Sequence, residues 1–324
     1  MTSNPILERV LAIEIARVTE RAAVAAAHLR GRGAEKKSDQ AAVDAMRREL
    51  GGLPIDGTVV IGEGEMDEAP MLFIGEKVGT KAGPKVDIAV DPLEGTILCA
   101  NNMPGAIATL AMADDGALLH APDIYMDKIA IGPGYPKNVV DLDAPADQNI
   151  LALAKAKGVK PAEITAMVLD RPRHADIIAA VRKVGGVVSL ISDGDVASVI
   201  HTAEPDKTGI DIYLGIGGAP EGVLAAAALR CIGGQMQTRL IVDTEEKRER
   251  VAKMGIKDPR KKYQIEDMVR GDCLFAATGV TDGRMLRGVR FGNGAIETET
   301  IVMRSATGTV RRIIAEHRKL EKFM

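Results

Sequence analysis

Acidic residues recur beside glycines where apolar runs end. The run at 58–62 leads into Glu63-Gly64-Glu65, and the run at 86–90 into Asp91-Pro92-Leu93-Glu94-Gly95-Thr96. A third run, ending before Gly215, leads into Gly217-Gly218-Ala219-Pro220-Glu221-Gly222. Ligands of α/β proteins bind at the carboxyl ends of strands, so three acid-bearing loops there can converge. Gathered carboxylates repel, and burying them uncompensated is costly. Mg²⁺ or Mn²⁺ resolves this, because it prefers oxygen ligands and leaves positions for water and phosphate. Pro92 stiffens its turn, Gly95 allows close backbone approach, and Thr96 sets a hydroxyl beside two acids. Singly, each acid reads equally as a solvated loop residue or a helix cap. Asp91 and Glu94 together point to chemistry.

The elements that must hold these loops follow from periodicity and punctuation. Asn4-Pro5 opens a helix with Asn at N-cap and Pro at N1; it carries Ile6, Val10, Ile13 and Arg17 and closes at Gly31 and Gly33. Ser38 caps a second helix that runs to about residue 50 and ends at Gly51-Gly52. Strands are expected at 58–62, 86–90, 107–112, 117–120 and 124–131, with turns at Asp115-Gly116 and Ala121-Pro122. Helices at 145–157, 174–184, 195–202 and 219–230 then alternate with strands at 164–169, 187–191 and 210–214. That alternation predicts α/β units on a largely parallel sheet. A charged helix and loop occupy 245–262, and strands at 273–280, 295–304 and 309–315 close the chain. The fold class is α/β and α+β in two lobes, an N-terminal one of residues 1–160 and a C-terminal one of 161–324.

Composition narrows the function. A chain of 324 residues suggests two domains at about 150 residues each. A net charge of −3 removes the bulk electrostatic case for a nucleic-acid or membrane-surface binder. There is no Trp, with 4 Tyr and 4 Phe, too few for a base-stacking platform. Cys99, Cys231 and Cys273 stand far apart, which argues against disulfides and Cys-ligated zinc. No signal peptide or membrane span is read, and the expected location is the cytoplasm.

The residues carry a resemblance. Asp91-Pro92-Leu93-Glu94-Gly95-Thr96 is similar to the D-P-x-[DE]-G-T signature of the metal-dependent sugar and inositol phosphatases. The block from Ile61-Gly62-Glu63-Gly64-Glu65 to Pro70-Met71-Leu72 narrows the match, as do Ala121-Pro122-Asp123-Ile124-Tyr125-Met126, Arg171-Pro172-Arg173-His174 and Gly217-Gly218-Ala219-Pro220-Glu221-Gly222. Together, in this order, they resemble class II fructose-1,6-bisphosphatase over most of residues 5–317. The resemblance implies a layered α/β sandwich of the sugar/inositol phosphatase type and a dimer or tetramer of like chains. It implies that Asp39 and Glu63 bind one metal ion, and that Asp91, Glu94 and Glu221 bind a second. Substrate contacts would come from Glu94, Gly95, Thr96, Tyr125, Arg171, Pro172, Arg173, Asp193, Gly194, Asp195 and Gly218. Before Asp39 the family often reads glycine, acid, lysine; here the run is Gly33-Ala34-Glu35-Lys36-Lys37-Ser38, so Lys36 is given no catalytic role.

The implied reaction is hydrolysis of the 1-phosphate of fructose 1,6-bisphosphate, with sedoheptulose 1,7-bisphosphate as an alternative or additional substrate. A phosphomonoester is unreactive, so the site must neutralise charge and align a water with the leaving oxygen. Thr96 is too weak an acid to serve as a base, and instead orients that water. Asp39 or Glu63 accepts its proton; the sequence does not choose between them. Arg171 and Arg173 can grip a second phosphate bidentately, although alone they read equally as a surface pair at a helix start. Tyr125 alone reads as packing, and Asp193-Gly194-Asp195 alone as a turn and cap. His174 and His201 are read as core or helix-surface residues, since Mg²⁺ favours oxygen. A dinucleotide binder competes weakly through Gly215-Ile216-Gly217-Gly218-Ala219-Pro220, where Pro220 takes the third glycine's place. A non-catalytic sugar-phosphate sensor would have lost the metal ligands or Thr96.

Overall fold

Apolar residues at helical spacing, Leu11, Ile15, Val18, Ala22 and Ala26, are fully buried along one helix, α1 (Leu11–Ala27). The computed structural model describes residues 11–64, 71–292 and 294–323. The expected helix start at Asn4-Pro5 and the acids of residues 65–70 lie outside them. Among the described residues the protein is a mixed α/β structure with ten α-helices and two mixed sheets.

The chain divides into two units, residues 1–119 with 269–324, and residues 120–268. They differ from the 1–160 and 161–324 lobes expected from the linear sequence, because β5 (Tyr125–Ile131) pairs within the second unit and the last strands return to the first. The first unit holds α1, α2 (Glu35–Gly51), β1 (Asp56–Ile61), β2 (Lys77–Val78), β3 (Lys85–Glu94), α3 (Thr96–Ala100) and β4 (Ile107–Asp114). Its sheet is completed by β11 (Cys273–Gly279), β12 (Arg290–Gly292), β13 (Ala295–Arg304) and β14 (Thr309–His317). The strand order is β12-β13-β11-β4-β3-β1-β2, with β14 also on β13; β1 and β3 pair parallel, and the other pairs among the described residues are antiparallel. α1 packs over β4, β11 and β13, and a buried hydroxyl chain from Thr19 through Thr278 to Thr300 ties it there at 2.8 Å per link.

The second unit holds β5, α4 (Ala146–Lys157), β6 (Thr165–Leu169), α5 (Ala175–Lys183), β7 (Val187–Ile191), α6 (Asp195–His201), α7 (Pro205–Thr208), β8 (Ile212–Gly218) and α8 (Ala219–Ile232). It ends with β9 (Gln235–Leu240), α9 (Glu245–Lys253), β10 (Tyr263–Gln264) and α10 (Ile265–Met268). The order is β10-β9-β5-β8-β6-β7.

Four further expectations are corrected. The largely parallel sheet is mixed: β6, β7 and β8 are parallel, but β5, β9 and β10 pair antiparallel. The strand expected at 117–120 is a single bridge from Leu118 to Val269, because the Leu118 N–H is taken by buried Asp87 Oδ2 at 3.0 Å. Ser38 does not cap α2; the helix begins one turn earlier, and its hydroxyl donates back to the carbonyls of Ala34 and Glu35. Gly215–218 is also the end of β8 rather than a loop after it, which removes the phosphate-binding turn of a dinucleotide site. No described helix is long and apolar enough to cross a membrane.

In the first unit, Lys322 Nζ donates to His317 Nδ1 at 2.7 Å, so the ring's Nε2–H faces Thr298 Oγ1 at 3.0 Å. Burial, with Lys322 and Arg21 nearby, lowers the His317 pKa to about 4. A folded-state pKa below the unfolded value gives stability that is present above about pH 6.5 and is lost as pH falls toward 4. The wild type should therefore lose more melting temperature between pH 7 and pH 5 than His317→Gln does. Thermal melts of both proteins at the two pH values check this; parallel shifts would count against it.

Candidate active site

In the first unit, β1 and β3 run parallel with Val59 beside Ile88 and Ile61 beside Ala89, so their carboxyl ends share one sheet edge. Gly62 follows β1 because a Cβ there would lie 1.9 Å from the Leu72 carbonyl oxygen. The Glu63 N–H donates to that same oxygen at 3.0 Å. On β3, Asp91 faces Thr109 of β4 and Glu94 faces Ile107, which leaves Pro92 and Leu93 as a bulge. Proline has no N–H for the ladder, and a bulge re-aims side chains at a strand end. The Leu93 N–H turns to Asp91 Oδ1 at 3.1 Å, and Thr109 Oγ1 donates to the Asp91 carbonyl at 3.3 Å. Gly95, at φ 81°, reverses the chain into α3, which begins at Thr96.

α3 also fixes Asp39. The N–H groups of Gly31 and Gly33 donate to the carbonyls of Cys99 and Ala100, each at 2.9 Å, just before α2 begins. Asp39 is partly buried in the second turn of α2, and desolvation raises its pKa. Glu94 is buried. Asp39, Glu63, Asp91, Glu94, Gly95 and Thr96 thus all belong to the first unit.

The other expected residues belong to the second unit, at the carboxyl ends of its three parallel strands. Arg171-Pro172-Arg173 follows β6, Asp193-Gly194-Asp195 follows β7, and Gly218 ends β8, with Glu221 in the first turn of α8. Tyr125 opens β5 directly opposite Gly218. The Arg173 guanidinium lies 4.8 Å from the centre of the Tyr125 ring and donates to the Ile216 carbonyl at 2.9 Å. Tyr125, Arg173 and Gly218 are therefore brought together, with both large side chains exposed. His174 anchors the segment: Ile216 N–H donates to its Nε2 at 2.8 Å, so Nδ1 carries the proton and donates to the Leu169 carbonyl at 2.7 Å. The ring is buried and neutral, its pKa lowered by burial first and then by Arg173 and Arg171, as a core histidine rather than a ligand.

Asp195 and Glu221 differ from solvated acids. Asp195 is buried and accepts from buried Lys128 Nζ at 2.6 Å. Its Oδ1 and Glu221 Oε2 are buried with no hydrogen-bond partner among the described residues. Glycines make room for them: a Cβ on Gly217 would lie 1.6 Å from Asp195 Oδ2, and one on Gly218 1.9 Å from Glu221 Oε2. Desolvation first, then the Asp195 charge, raises the Glu221 pKa to about 7 against the opposing pull of Lys128. Asp193 is partly buried in the bend before Gly194. Lys128 is the residue that sequence reasoning missed. Its signal is a lysine in register with Met126 and Ala130, on the buried face of β5.

Among the described residues no three His, Cys, Asp or Glu side chains group as a ready metal cage. The donor chemistry nevertheless fits a hard cation: every expected ligand offers carboxylate oxygen, and Glu221 keeps one buried oxygen without a partner.

Residues 9–317 match the family described as bacterial fructose-1,6-bisphosphatase, glpX-encoded. A D-fructose 1,6-bisphosphatase class 2/sedoheptulose 1,7-bisphosphatase of Synechococcus sp. (strain JA-3-3Ab) is 44% identical over 338 aligned positions, covering 97% of each chain. The Escherichia coli (strain K12) fructose-1,6-bisphosphatase 1 class 2 is 46% identical over 325 positions, covering 96% of each chain. These matches make the chain a phosphoric monoester hydrolase. Within that class it belongs to the class II, glpX-type fructose-1,6-bisphosphatases.

The glycine clearance yields a test. In Gly218→Ala the new methyl meets a movable carboxylate rather than backbone, so Glu221 should rotate while the fold persists. We expect kcat/KM to fall about 100-fold or more, as for loss of a group that stabilises charge in the transition state. The melting temperature should stay close to wild type. Steady-state kinetics beside a thermal melt check this, and near-normal kcat/KM would show that the Glu221 orientation is immaterial.

Proposed function

We propose that the enzyme removes the 1-phosphate of fructose 1,6-bisphosphate with Mg²⁺ or Mn²⁺, leaving fructose 6-phosphate and phosphate. The ligands in this reading are Asp39, Glu63, Asp91 and Glu94 of the first unit and Glu221 of the second. The observation that carries it is the bulge at Asp91–Glu94, which sets two acids and the Thr96 hydroxyl at one strand end. Bound cations would neutralise the phosphoryl oxygens and supply Lewis acidity. Thr96 orients the attacking water through its hydroxyl, and Asp39 or Glu63 takes the proton. The Asp39 pKa, raised by burial, suits a proton acceptor.

The distal phosphate is assigned to Arg171 and Arg173, with Tyr125, Pro172 and Gly218 beside them. Arg173 is pre-set for this by the Ile216 carbonyl and the Tyr125 ring, which leave its charge at the surface. Asp193, Gly194 and Asp195 are assigned to the sugar, together with Glu94, Gly95 and Thr96. The same reading takes the two mixed sheets as a layered α/β sandwich. It places the enzyme in the cytoplasm, which three buried cysteines with no disulfide among them support. A homodimer or homotetramer is part of the reading and rests on the resemblance alone.

A second substrate is favoured by the Synechococcus relatives, two of which carry the sedoheptulose 1,7-bisphosphatase name at 44% identity. Phosphate release from each bisphosphate, with Mg²⁺, with Mn²⁺ and after chelation, tests the whole reading. Release that survives chelation would refute the metal assignment, and release from neither sugar would refute the substrate.

Two substitutions test the roles. Arg173→Ala should raise KM for the bisphosphate about 10- to 150-fold, since a lost charge-assisted contact is worth about 1.5–3 kcal/mol. A fall in kcat alone would instead place this residue near the chemistry. Thr96→Ser should keep measurable activity, while Thr96→Ala lowers kcat by about 10²–10⁴ with little change in affinity. Equal loss in both would show that the methyl group's packing, absent from Ser, is what matters.

A further inference from the structure

Lys128 is wholly buried in β5, yet no role has fallen to it in the reaction. A buried lysine is retained only where a partner offsets its desolvation. Here the partner is Asp195, at 2.6 Å, whose own side chain is 6% exposed. The surrounding backbone is shaped for the pair. A Cβ on Gly217 would fall 1.6 Å from Asp195 Oδ2 and 3.2 Å from Lys128 Nζ, and one on Gly222 would lie 3.3 Å from Lys128 Cε. Gly217 therefore clears the space that the ion pair fills, while Gly222 makes room chiefly for Met126 Sδ, 2.4 Å from such a Cβ, which packs beside the lysine stem.

Asp195 and Glu221 meet at one strand end: Asp195 Oδ2 fills the space beside Gly217 and Glu221 Oε2 the space beside Gly218. Asp195 and Asp123 act on Glu221 as like charges, and Lys128 opposes them. Each acid also keeps one buried oxygen without a hydrogen-bond partner among the described residues. Without the lysine, Asp195 would be a buried carboxylate with its ion-pair partner gone and would be driven to turn toward water. We propose that Lys128 is a positioning residue, whose ammonium holds Asp195 inward beneath the end of β8 and keeps the two acids side by side. This rests on the assignment of Asp195 to the sugar and of Glu221 to a metal ion.

A double-mutant cycle tests it, because residues that act as one unit are non-additive. Lys128→Met keeps the apolar stem and removes the charge; Asp195→Asn removes the charge it holds. Each single variant should raise KM for fructose 1,6-bisphosphate about tenfold or more. The double variant should be no worse than the more damaged single one. Effects that multiply, or a Lys128→Met enzyme with wild-type KM, would overturn the proposal. If Lys128→Met fails to fold, the double variant, a neutral pair, should fold and melt within about 5 °C of wild type. Failure of both to fold would also overturn it. Calorimetric titration of Glu221→Gln with Mn²⁺ is read separately. Wild-type binding there would refute the metal assignment, while the cycle still judges the lysine.

Discussion

Carboxylates held where water is scarce govern this molecule. Glu94 and Asp195 are buried, Glu221 hides an oxygen, and Asp39 is desolvated in α2. Such groups lower stability unless something answers them. One answer is local, as where the Leu93 N–H meets Asp91 and Lys128 meets Asp195. The remainder comes from apolar packing elsewhere: one core beneath α1 and α2 in the first unit, and another around β5, β6, β8 and α4 in the second. Asp195 and Glu221 can each keep a buried oxygen without a hydrogen-bond partner among the described residues because the second core holds its strand ends still.

The backbone meets the same demand with residues that lack a Cβ or an N–H. Pro92 breaks the β3 ladder where two acids must leave it, and Gly62 lets the chain after β1 press against Leu72. Gly217 and Gly218 give their side-chain volume to carboxylates. On the cationic side a neutral imidazole does the fixing. His174 bridges Leu169 and Ile216, so the arginines before it project from a rigid strand end.

Much of this was legible in the chain. Strand-end acids next to Gly and Pro were visible because their residue types are rare in strands and specific in turns. Helices α4 and α8 were expected close to their observed bounds; the structure adds that each closes on a glycine at left-handed φ, Gly158 and Gly233. What escaped depended on partners far away in sequence. β9 was missed because it contains Gln235, Gln237 and Arg239; buried Gln237 makes sense only once Leu142 and Val140 take up its amide. The run at 117–120 has strand composition, but a side chain 31 residues earlier claims its N–H. Lys128 drew no notice because its partner, Asp195, lies 67 residues further along the chain. Two lobes were expected, but their bounds escaped because β11 to β14 follow the second sheet in sequence and yet return to the first.

That division has a consequence for how the chain is made. Residues 120–268 form an uninterrupted stretch, whereas the first sheet is built from segments separated by that whole stretch. During synthesis, domains tend to fold as units as they emerge. Here the second-made unit can close first, while β1, β3 and β4 wait with β4 unpaired on the side where β11 will lie. An incomplete sheet with a bare, apolar edge strand is a template for wrong pairing. The interval before β11 leaves the ribosome is therefore the time at which this protein is most exposed to aggregation, and a stall after residue 268 would leave one sound unit tethered to one unfinished sheet.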